Sequence, residues 1–213
     1  PVDSAGVAPA VTDAMSSGIP IIAIDTGVSG AEVTSFVATD NYAVAKVQGA
    51  VAATLVNDGD TVIYVTGNQA QSTGQERRNG FMEAFSAARP GSKILEVPTE
   101  WNSQQAQEGV EAVLNSNSDV KMVVNAWDGG TMGAKAALEN LGYGAGDVKL
   151  VGFDGASDAI AAMDEGWVHA DTAQMLYQMG YQGIKAAAAA ARGETVSSRI
   201  DTGFFLVTPS TSG

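Results

Sequence analysis

The stretch Lys149-Leu150-Val151-Gly152-Phe153-Asp154-Gly155 carries the strongest indication of the fold. Residues 148–151 predict a short strand, and a helix is predicted to begin near Ser157. In a parallel α/β sheet, ligands bind outside the carboxyl ends of the strands, and Asp154 lies at such an end. Its carboxylate can accept hydrogen bonds from the hydroxyl groups of a ligand. From spacing alone, Asp154 fits equally well as a residue that organises the start of the following helix.

The same alternation of strands and helices extends in both directions from this stretch. Strands are predicted at residues 20–24, 36–39, 61–65, 93–97, 120–124, 148–151, 167–172 and 204–207. Helices are predicted at residues 6–17, 42–55, 72–88, 103–114, 129–141, 157–165 and 176–191. Strands that alternate with helices of this length indicate βαβ units and a mostly parallel sheet, so the predicted fold class is α/β.

Composition narrows the possible functions. The chain has 213 residues, of which 45% are hydrophobic, and this is enough to bury a sizeable core. Its formal net charge of −13 argues against a nucleic-acid partner, because phosphate binding needs clustered lysine and arginine. No apolar run is long enough to cross a bilayer.

Several kinds of catalytic and cofactor site are excluded by residue counts. The chain has no cysteine, which rules out disulfides and thiol nucleophiles, and its single histidine rules out a multi-histidine metal site. That histidine, His169, falls in a predicted strand and is interpreted as structural. Glycine-rich phosphate and dinucleotide motifs are absent. We therefore predict no cofactor, no metal, no catalytic residue and no enzymatic activity.

Side chains suited to ligand binding follow the ends of several predicted strands. They are Asp25, Trp101, Trp127 with Asp128, Asp154 and Gln174, joined by Arg77 early in a helix. Indole faces can pack on the C–H face of a sugar ring, while carboxylates, an amide and a guanidinium can bind its hydroxyl groups. The set predicts a small, neutral, polyhydroxylated ligand.

Each member of this set also has a purely structural interpretation. Trp101 and Trp127 fit as core or rim aromatics, because tryptophan is usually mostly buried. Asp128 fits as the N-cap of the helix predicted from residue 129. One of the adjacent Arg77 and Arg78 fits as a solvated surface charge. Gln174 could also cap a helix or face water.

With these residues in view, the chain resembles the type I periplasmic sugar-binding proteins of the ribose-binding class. The stretches that carry the resemblance are Pro1-Val2-Asp3-Ser4, Gly18-Ile19-Pro20-Ile21-Ile22-Ala23-Ile24-Asp25, Ala38-Thr39-Asp40-Asn41, Glu76-Arg77-Arg78-Asn79-Gly80-Phe81, Val151-Gly152-Phe153-Asp154-Gly155 and Ala173-Gln174. Together they are specific, although each alone is weak, and the similarity runs from Pro1 to about Val207.

The resemblance implies roles for individual residues. It implies that Asp25, Arg77, Asp154 and Gln174 hydrogen-bond the ligand, and it places Trp101 where the family has a stacking aromatic. Two positions depart from the ribose binders, which usually carry asparagine where this chain has Trp127 and arginine where it has Thr26. These departures argue against ribose itself and favour a different ring size, a polyol or another stacking arrangement.

The resemblance also implies two Rossmann-like lobes that close over a sugar. Residues 1–39 and 175–203 correspond to a remnant of the first lobe, which is incomplete because the family's initial strand–helix units are absent. Residues 40–174 and 204–213 correspond to the second lobe, and the hinge crossings are expected near Thr39, Gln174 and Phe204. With half of the site missing, we expect these 213 residues by themselves to bind sugar weakly or not at all.

The function implied by the resemblance is that of a solute-binding component of an ABC sugar importer. Its expected partners are a small sugar or polyol and the transporter permease, with no nucleic acid. Its expected location is the periplasm, or the cell exterior as a membrane-anchored lipoprotein. The alternative is the ligand-sensing core of a lactose-repressor-class regulator, which an upstream DNA-binding helix would distinguish. An enzyme on the same fold is a third hypothesis, which no residue favours.

Overall fold

The computed structural model describes residues 1–209, whose strands form two separate sheets. The strands are β1 (Ile22–Ile24), β2 (Ser35–Ala38), β3 (Thr61–Val65), β4 (Lys93–Val97), β5 (Val120–Asn125), β6 (Lys149–Asp154), β7 (Val168–Gln174), β8 (Arg199–Asp201) and β9 (Phe204–Val207). The helices are α1 (Ala8–Ser16), α2 (Asn41–Thr54), α3 (Ser72–Ala88), α4 (Ser103–Ser116), α5 (Asp128–Asn140), α6 (Ser157–Asp164) and α7 (Leu176–Ala191).

The larger sheet has six strands in the order β4-β3-β5-β6-β7-β9. Its first five strands are parallel, and β9 pairs antiparallel with β7. The strand order reverses between β3 and β5, which in a doubly wound sheet creates a crevice at the carboxyl ends of those strands. The predicted α/β class with mostly parallel strands is therefore confirmed.

The larger sheet has a closely packed core. All five residues of β3 are buried, as expected for a parallel strand covered by helices on both faces. The ring of Tyr64 stacks on Phe81 of α3 with centroids 4.4 Å apart, and Phe81 stacks on Phe85 at 5.2 Å. Helix α2 packs against α3, and α4 packs against α5. The carboxyl edge of this sheet is thus a firm support for side chains.

The smaller sheet has the order β1-β2-β8 and is parallel throughout. Helix α7 packs on β1 and β2, and the buried residues there are Val37, Met179 and Ala186. The chain passes between the sheets three times, after β2, after β7 and after β8. The division into two lobes stays a prediction, and residues 210–213 of the predicted second lobe lie outside the described residues.

Some predicted boundaries were wrong. Strand β8 was not predicted, because Arg199-Ile200-Asp201 is polar and only Ile200 is partly buried. The strand predicted at residues 20–24 begins only at Ile22, and the strand predicted at residues 148–151 extends to Asp154, the last residue of β6. Across residues 1–209, no helix is both long and apolar enough to cross a membrane.

Glycines let α2 and α3 approach closely, and this contact generates a test of the fold. A Cβ added at Gly80 would lie 2.3 Å from the backbone oxygen of Tyr42, whereas one added at Gly180 in α7 would meet nothing within 4 Å. We expect Gly80→Ala to lower the free energy of unfolding by about 1–3 kcal/mol, because the helices must separate. The matched change Gly180→Ala should raise it by up to about 1 kcal/mol, because alanine is the better helix former. Urea denaturation followed by circular dichroism measures both, and equal effects would contradict the packing described.

Candidate functional site

A cleft of about 400 Å³ lies where the carboxyl edges of the two sheets meet. Its walls are formed by Asp25, Thr26, Gln71, Thr73, Arg77, Trp101, Trp127, Asp154, Gln174 and Leu176. The cleft thus brings together all of the side chains that the sequence predicted as ligand-binding, with the exception of Asp128. They come from separate segments of the chain, so only the fold places them side by side.

A buried ion pair forms the base of the cleft. Nη1 of Arg77 lies 3.0 Å from Oδ1 of Asp154 and also donates to the carbonyl oxygen of Ala126 at 2.7 Å. Its Nε donates to Oδ1 of Asn41 at 2.8 Å. The guanidinium carbon lies 3.8 Å from the ring centroid of Phe153. Because the Arg77 side chain is only 3% exposed, these contacts hold its charge in one orientation.

Asp154 accepts a second hydrogen bond, from Nε2 of Gln174 at 2.6 Å. Burial raises the pKa of Asp154 above its ordinary value, and the Arg77 charge and the Gln174 amide oppose this shift. Both bonds use Oδ1, which leaves Oδ2 without a hydrogen-bond donor among residues 1–209. In that same range, Oε1 of Gln174 is buried and has no partner. Oδ2 of Asp154 is therefore the acceptor that the site offers to a hydroxyl group.

The start of α6 bears on the other interpretation of Asp154. The N-cap of α6 is Ala156, and this position has no side-chain cap hydrogen bond within the described part of the chain. Asp154 therefore makes no cap, and its carboxylate is used by Arg77 and Gln174 instead.

Two tryptophans form an aromatic wall. The rings of Trp101 and Trp127 meet edge to face with centroids 5.3 Å apart. Nε1 of Trp101 donates to Oε1 of Gln71, and the Arg77 guanidinium lies 5.7 Å from the Trp101 ring. Trp127 is 8% exposed and also belongs to the core, so it serves as both core aromatic and cleft wall.

Unusual backbone geometry is concentrated at the cleft. Among residues 1–209, the residues other than glycine with positive φ are Asp25 at 70°, Trp101 at 59° and Asp154 at 122°. Residues other than glycine rarely adopt a positive φ, and each one that does typically adds about 1–3 kcal/mol of backbone strain. All three line the cleft. Strain of this kind collects where a side chain must point in a required direction, which marks the cleft as a functional site.

The smaller sheet contributes Asp25 and Thr26 just after β1. The hydroxyl of Thr26 donates to Oδ2 of Asp25 at 3.0 Å and lies 2.9 Å from the hydroxyl of Thr73 in α3. The amide of Gly27 donates to the hydroxyl of Ser72 at 3.0 Å. These bonds join the two sheets next to the cleft and orient the Asp25 carboxylate.

Asp128 lies apart from the other predicted residues. It is 2% exposed, and its carboxylate accepts from the amides of Phe153 and Ala156 rather than facing the cleft. It is not the N-cap either, because α5 begins at Asp128 and Trp127 precedes it as the cap residue. The alternative of a solvated arginine applies to Arg78, which pairs with Glu96 at the surface. Gln174 does not cap α7, whose cap residue is Met175, and its amide donates to Asp154.

The predicted ligand-binding set omitted four residues that line the cleft, Thr26, Gln71, Thr73 and Leu176. Gln71 and Thr73 follow β3, at the point where the strand order reverses, so their position in the topology could have identified them. Leu176 is the first residue of α7, and its apolar side chain gave no reason to predict a ligand contact. Among residues 1–209, no cluster of acidic or histidine side chains is suited to hold a metal ion.

Comparison with known proteins gives a consistent family. Residues 1–195 match the family described as periplasmic binding protein domain. The ribose import binding protein RbsB of Escherichia coli K12 is 31% identical over 207 residues, which cover 97% of this chain and 69% of that protein. The D-allose-binding periplasmic protein of Escherichia coli K12 is 31% identical over 193 residues, which cover 87% of this chain and 62% of that protein.

Solved structures of ABC transporter solute binding proteins superpose closely on this chain. An ABC transporter solute binding protein from Mycobacterium smegmatis with bound glycerol superposes with a TM-score of 0.90 at 33% identity, covering 100% of this chain and 73% of that one. An ABC transporter periplasmic solute binding protein from Actinobacillus succinogenes with bound D-allose gives a TM-score of 0.89 at 26% identity, covering 100% of this chain and 77% of that one.

The adjacent arginines provide a matched test of the buried ion pair. Arg77→Ala leaves Asp154 without its counter-charge in a mostly buried place, so we expect the free energy of unfolding to fall by about 3–5 kcal/mol. Arg78→Ala removes only an exposed pair with Glu96, for which we expect about 1 kcal/mol or less. Urea denaturation at neutral pH distinguishes the two. Similar losses for both variants would contradict the network described for Arg77.

Proposed function

The chain belongs to the periplasmic binding protein domain family, and from this premise we propose that it binds a small neutral sugar or polyol for delivery to an ABC importer. Relatives in this family are named as a ribose import binding protein and a D-allose-binding periplasmic protein. They are binding proteins, and we propose binding without catalysis for this chain as well.

The observation that supports this proposal most directly is the set of side chains at the cleft. Carboxylates, an amide and a guanidinium stand beside two indoles, and this combination suits hydroxyl groups on an apolar carbon frame. An anionic ligand would meet the carboxylates of Asp25 and Asp154. The guanidinium that lines the cleft, that of Arg77, is already paired with Asp154. A neutral polyhydroxylated ligand avoids both difficulties.

The dimensions of the cleft agree with a small ligand. A volume of about 400 Å³ lies near the lower end of ordinary ligand sites, which span about 300–1,000 Å³. Glycerol and D-allose, the ligands bound in two related structures, are both small, neutral molecules with several hydroxyl groups. We propose Asp25, Arg77, Trp101, Trp127, Asp154 and Gln174 as the ligand-contacting residues, with the polar four as hydrogen-bond partners.

Delivery requires that the loaded state be recognised. We propose that the two sheets with their helices act as two lobes, that ligand binding shifts them toward a closed arrangement, and that a membrane permease recognises this arrangement. The family and its import-binding relatives place such proteins in the periplasm. We further propose that the protein is anchored at the membrane as a lipoprotein.

The test is an NMR titration of the ¹⁵N-labelled chain with ribose, D-allose, other pentoses and hexoses, and glycerol. We expect at least one of these to shift the amides and indole N–H groups that line the cleft. Asp154→Asn should lower the affinity for that ligand about tenfold or more, because a hydrogen bond to a charged group contributes about 1.5–3 kcal/mol. Because these 213 residues by themselves are expected to bind only weakly, the titration extends to the highest soluble ligand concentration, and absence of any cleft shift there would contradict the proposed function.

The matched control is Asp158→Asn. Asp158 is an exposed acid in the first turn of α6 whose carboxylate accepts from the amide of its neighbour Ala159 and does not line the cleft. The change removes the same charge from the same segment without altering the cleft, so the affinity should stay within about twofold of the unchanged chain. An equal loss in both variants would mean that net charge, rather than contact with Asp154, sets the affinity.

A further inference from the structure

Two buried carboxyl groups lie directly beneath the loop that carries Asp154. Asp128, at the start of α5, is 2% exposed, and Asp171, in the middle of β7, is fully buried. A Cβ added at Gly152 would lie 2.5 Å from Oδ1 of Asp128 and 2.3 Å from Oδ2 of Asp171, so both carboxyl groups occupy the space above this glycine. The two carboxyl groups are therefore close neighbours.

The pair holds the backbone on both sides of Asp154. Asp128 accepts from the amide of Phe153 through Oδ1 at 3.2 Å and from the amide of Ala156 through Oδ2 at 2.7 Å. Asp171 accepts from the amide of Gly155 through Oδ1 at 3.0 Å. These three amides flank the residue whose φ of 122° turns its carboxylate toward Arg77.

The remaining oxygen of the pair identifies where a proton must be. Oδ2 of Asp171 is buried, and no N–H group within residues 1–209 donates to it. The nearby guanidinium of Arg77 does not serve the pair, because its hydrogen bonds go to Asp154, Asn41 and Ala126. Two adjacent buried carboxylates without a paired cation cannot both be ionised, so one of them has to carry a proton.

We propose that Asp128 and Asp171 share one proton and act as positioning residues, which fix the loop around Asp154 in the geometry that binds the ligand. Protonated Asp171 donates through Oδ2 to Asp128, and ionised Asp128 keeps both of its acceptor oxygens for the loop amides. Loss of this proton to solvent puts two negative charges in contact, which weakens the hold on Gly155 and Ala156 and releases Asp154. This proposal rests on the proposed sugar-binding function only where its test measures affinity for a ligand.

The surroundings of the pair are compatible with this assignment. The charged groups that face it are Asp154 from β6 and, beyond that carboxylate, Arg77 from α3. Helix α6 packs on β7 and buries the uncharged Ala159, Ala162 and Met163. Thr131 of α5 adds a hydroxyl 3.4 Å from Oδ1 of Asp128. Helix α2 covers the sheet through Gln48, which is neutral and donates to the carbonyl oxygens of Asn125 and Gly152.

The protonation of the pair has a definite pH range. Burial raises the pKa of Asp128 to about 6, and burial together with the neighbouring Asp128 carboxylate raises the pKa of Asp171 to about 10. The pair therefore keeps one proton at neutral pH, and the buried Oδ2 of Asp171, to which no N–H group within residues 1–209 donates, is where we place it. The folded chain keeps this proton where an unfolded aspartic acid has lost it, so its contribution to stability falls as the pH rises toward about 10.

The test compares the unchanged chain with Asp171→Asn from neutral pH to beyond the alkaline midpoint, which the pKa of about 10 places near the upper end of the range, by NMR with D-allose and glycerol as probes. Without ligand, the amides of Phe153, Gly155 and Ala156 should shift together with one alkaline midpoint in the unchanged chain. The affinity for whichever probe binds should fall about tenfold over the same range, the equivalent of one lost hydrogen bond. The asparagine side chain in Asp171→Asn keeps an acceptor for Gly155 and a donor for Asp128 without titrating, so both changes should disappear in that variant.

Two further variants separate positioning from general destabilisation. Asp128→Asn must turn its amide nitrogen toward one of the loop amides, so it should weaken probe binding at neutral pH about tenfold while the fold persists. Asp158→Asn removes a nearby exposed carboxylate and should keep the alkaline midpoint of the unchanged chain.

The outcomes are distinct. An alkaline midpoint that survives in Asp171→Asn, or amides that do not titrate at all in the unchanged chain, would overturn the shared proton. Loop amides that titrate as expected while affinity stays constant with pH would overturn the positioning role. Failure of both probes to bind at any pH would count against the proposed function, whereas the titration of the loop amides would still decide the state of the pair.

Discussion

The buried guanidinium of Arg77 is the interaction on which the cleft depends. It joins α2 through Asn41, the end of β5 through Ala126 and the end of β6 through Asp154, and it stacks on Phe153. Taking such a charge out of water costs several kcal/mol, which only complete hydrogen bonding and a nearby counter-charge can offset. The segments that meet at Arg77 are consequently held in one arrangement, and that arrangement defines the base of the cleft.

The Arg77 cation also determines which partners the surrounding aspartates contact. Three carboxyl groups, those of Asp128, Asp154 and Asp171, lie near the carboxyl end of β6, and of these Asp154 is the one that contacts Arg77. The other two are placed one layer deeper, where backbone amides satisfy most of their oxygens. At Asp154 the Arg77 charge opposes the rise in pKa that burial causes, while the deeper acids bind the amides of the loop that carries it. The strained φ of Asp154 persists because both layers constrain the same few residues.

Much of this arrangement could be predicted from the sequence, since polar residues at the ends of parallel strands collect at one edge of a sheet. This rule correctly grouped Asp154, Trp127 and Gln174, and the βαβ pattern predicted the class of fold. It misplaced Asp128, which also follows a strand end, because strand position alone does not say whether a side chain points into the cleft or into the layer beneath. Nothing in the sequence pattern indicated the role of Asp171, because an acid in mid-strand acquires a partner only through register with β6. Strand β8 was missed because its polar residues show no apolar alternation.

The two walls of the cleft differ in how firmly they are built. The wall formed by Arg77, Trp127 and Asp154 rests on a six-stranded sheet with a large continuous core. The wall that carries Asp25 rests on three short strands, whose buried core is far smaller. Asp25 is positioned partly by hydrogen bonds that reach across to α3, because the Thr26 hydroxyl donates to Oδ2 of Asp25 and lies 2.9 Å from the hydroxyl of Thr73. The two walls are therefore joined through α3, since this helix carries both Arg77, which pairs with Asp154, and Thr73, which contacts Thr26 beside Asp25. The large core behind α3 offsets the cost of the buried charge, and the same helix fixes the acidic groups on both sides of the cleft.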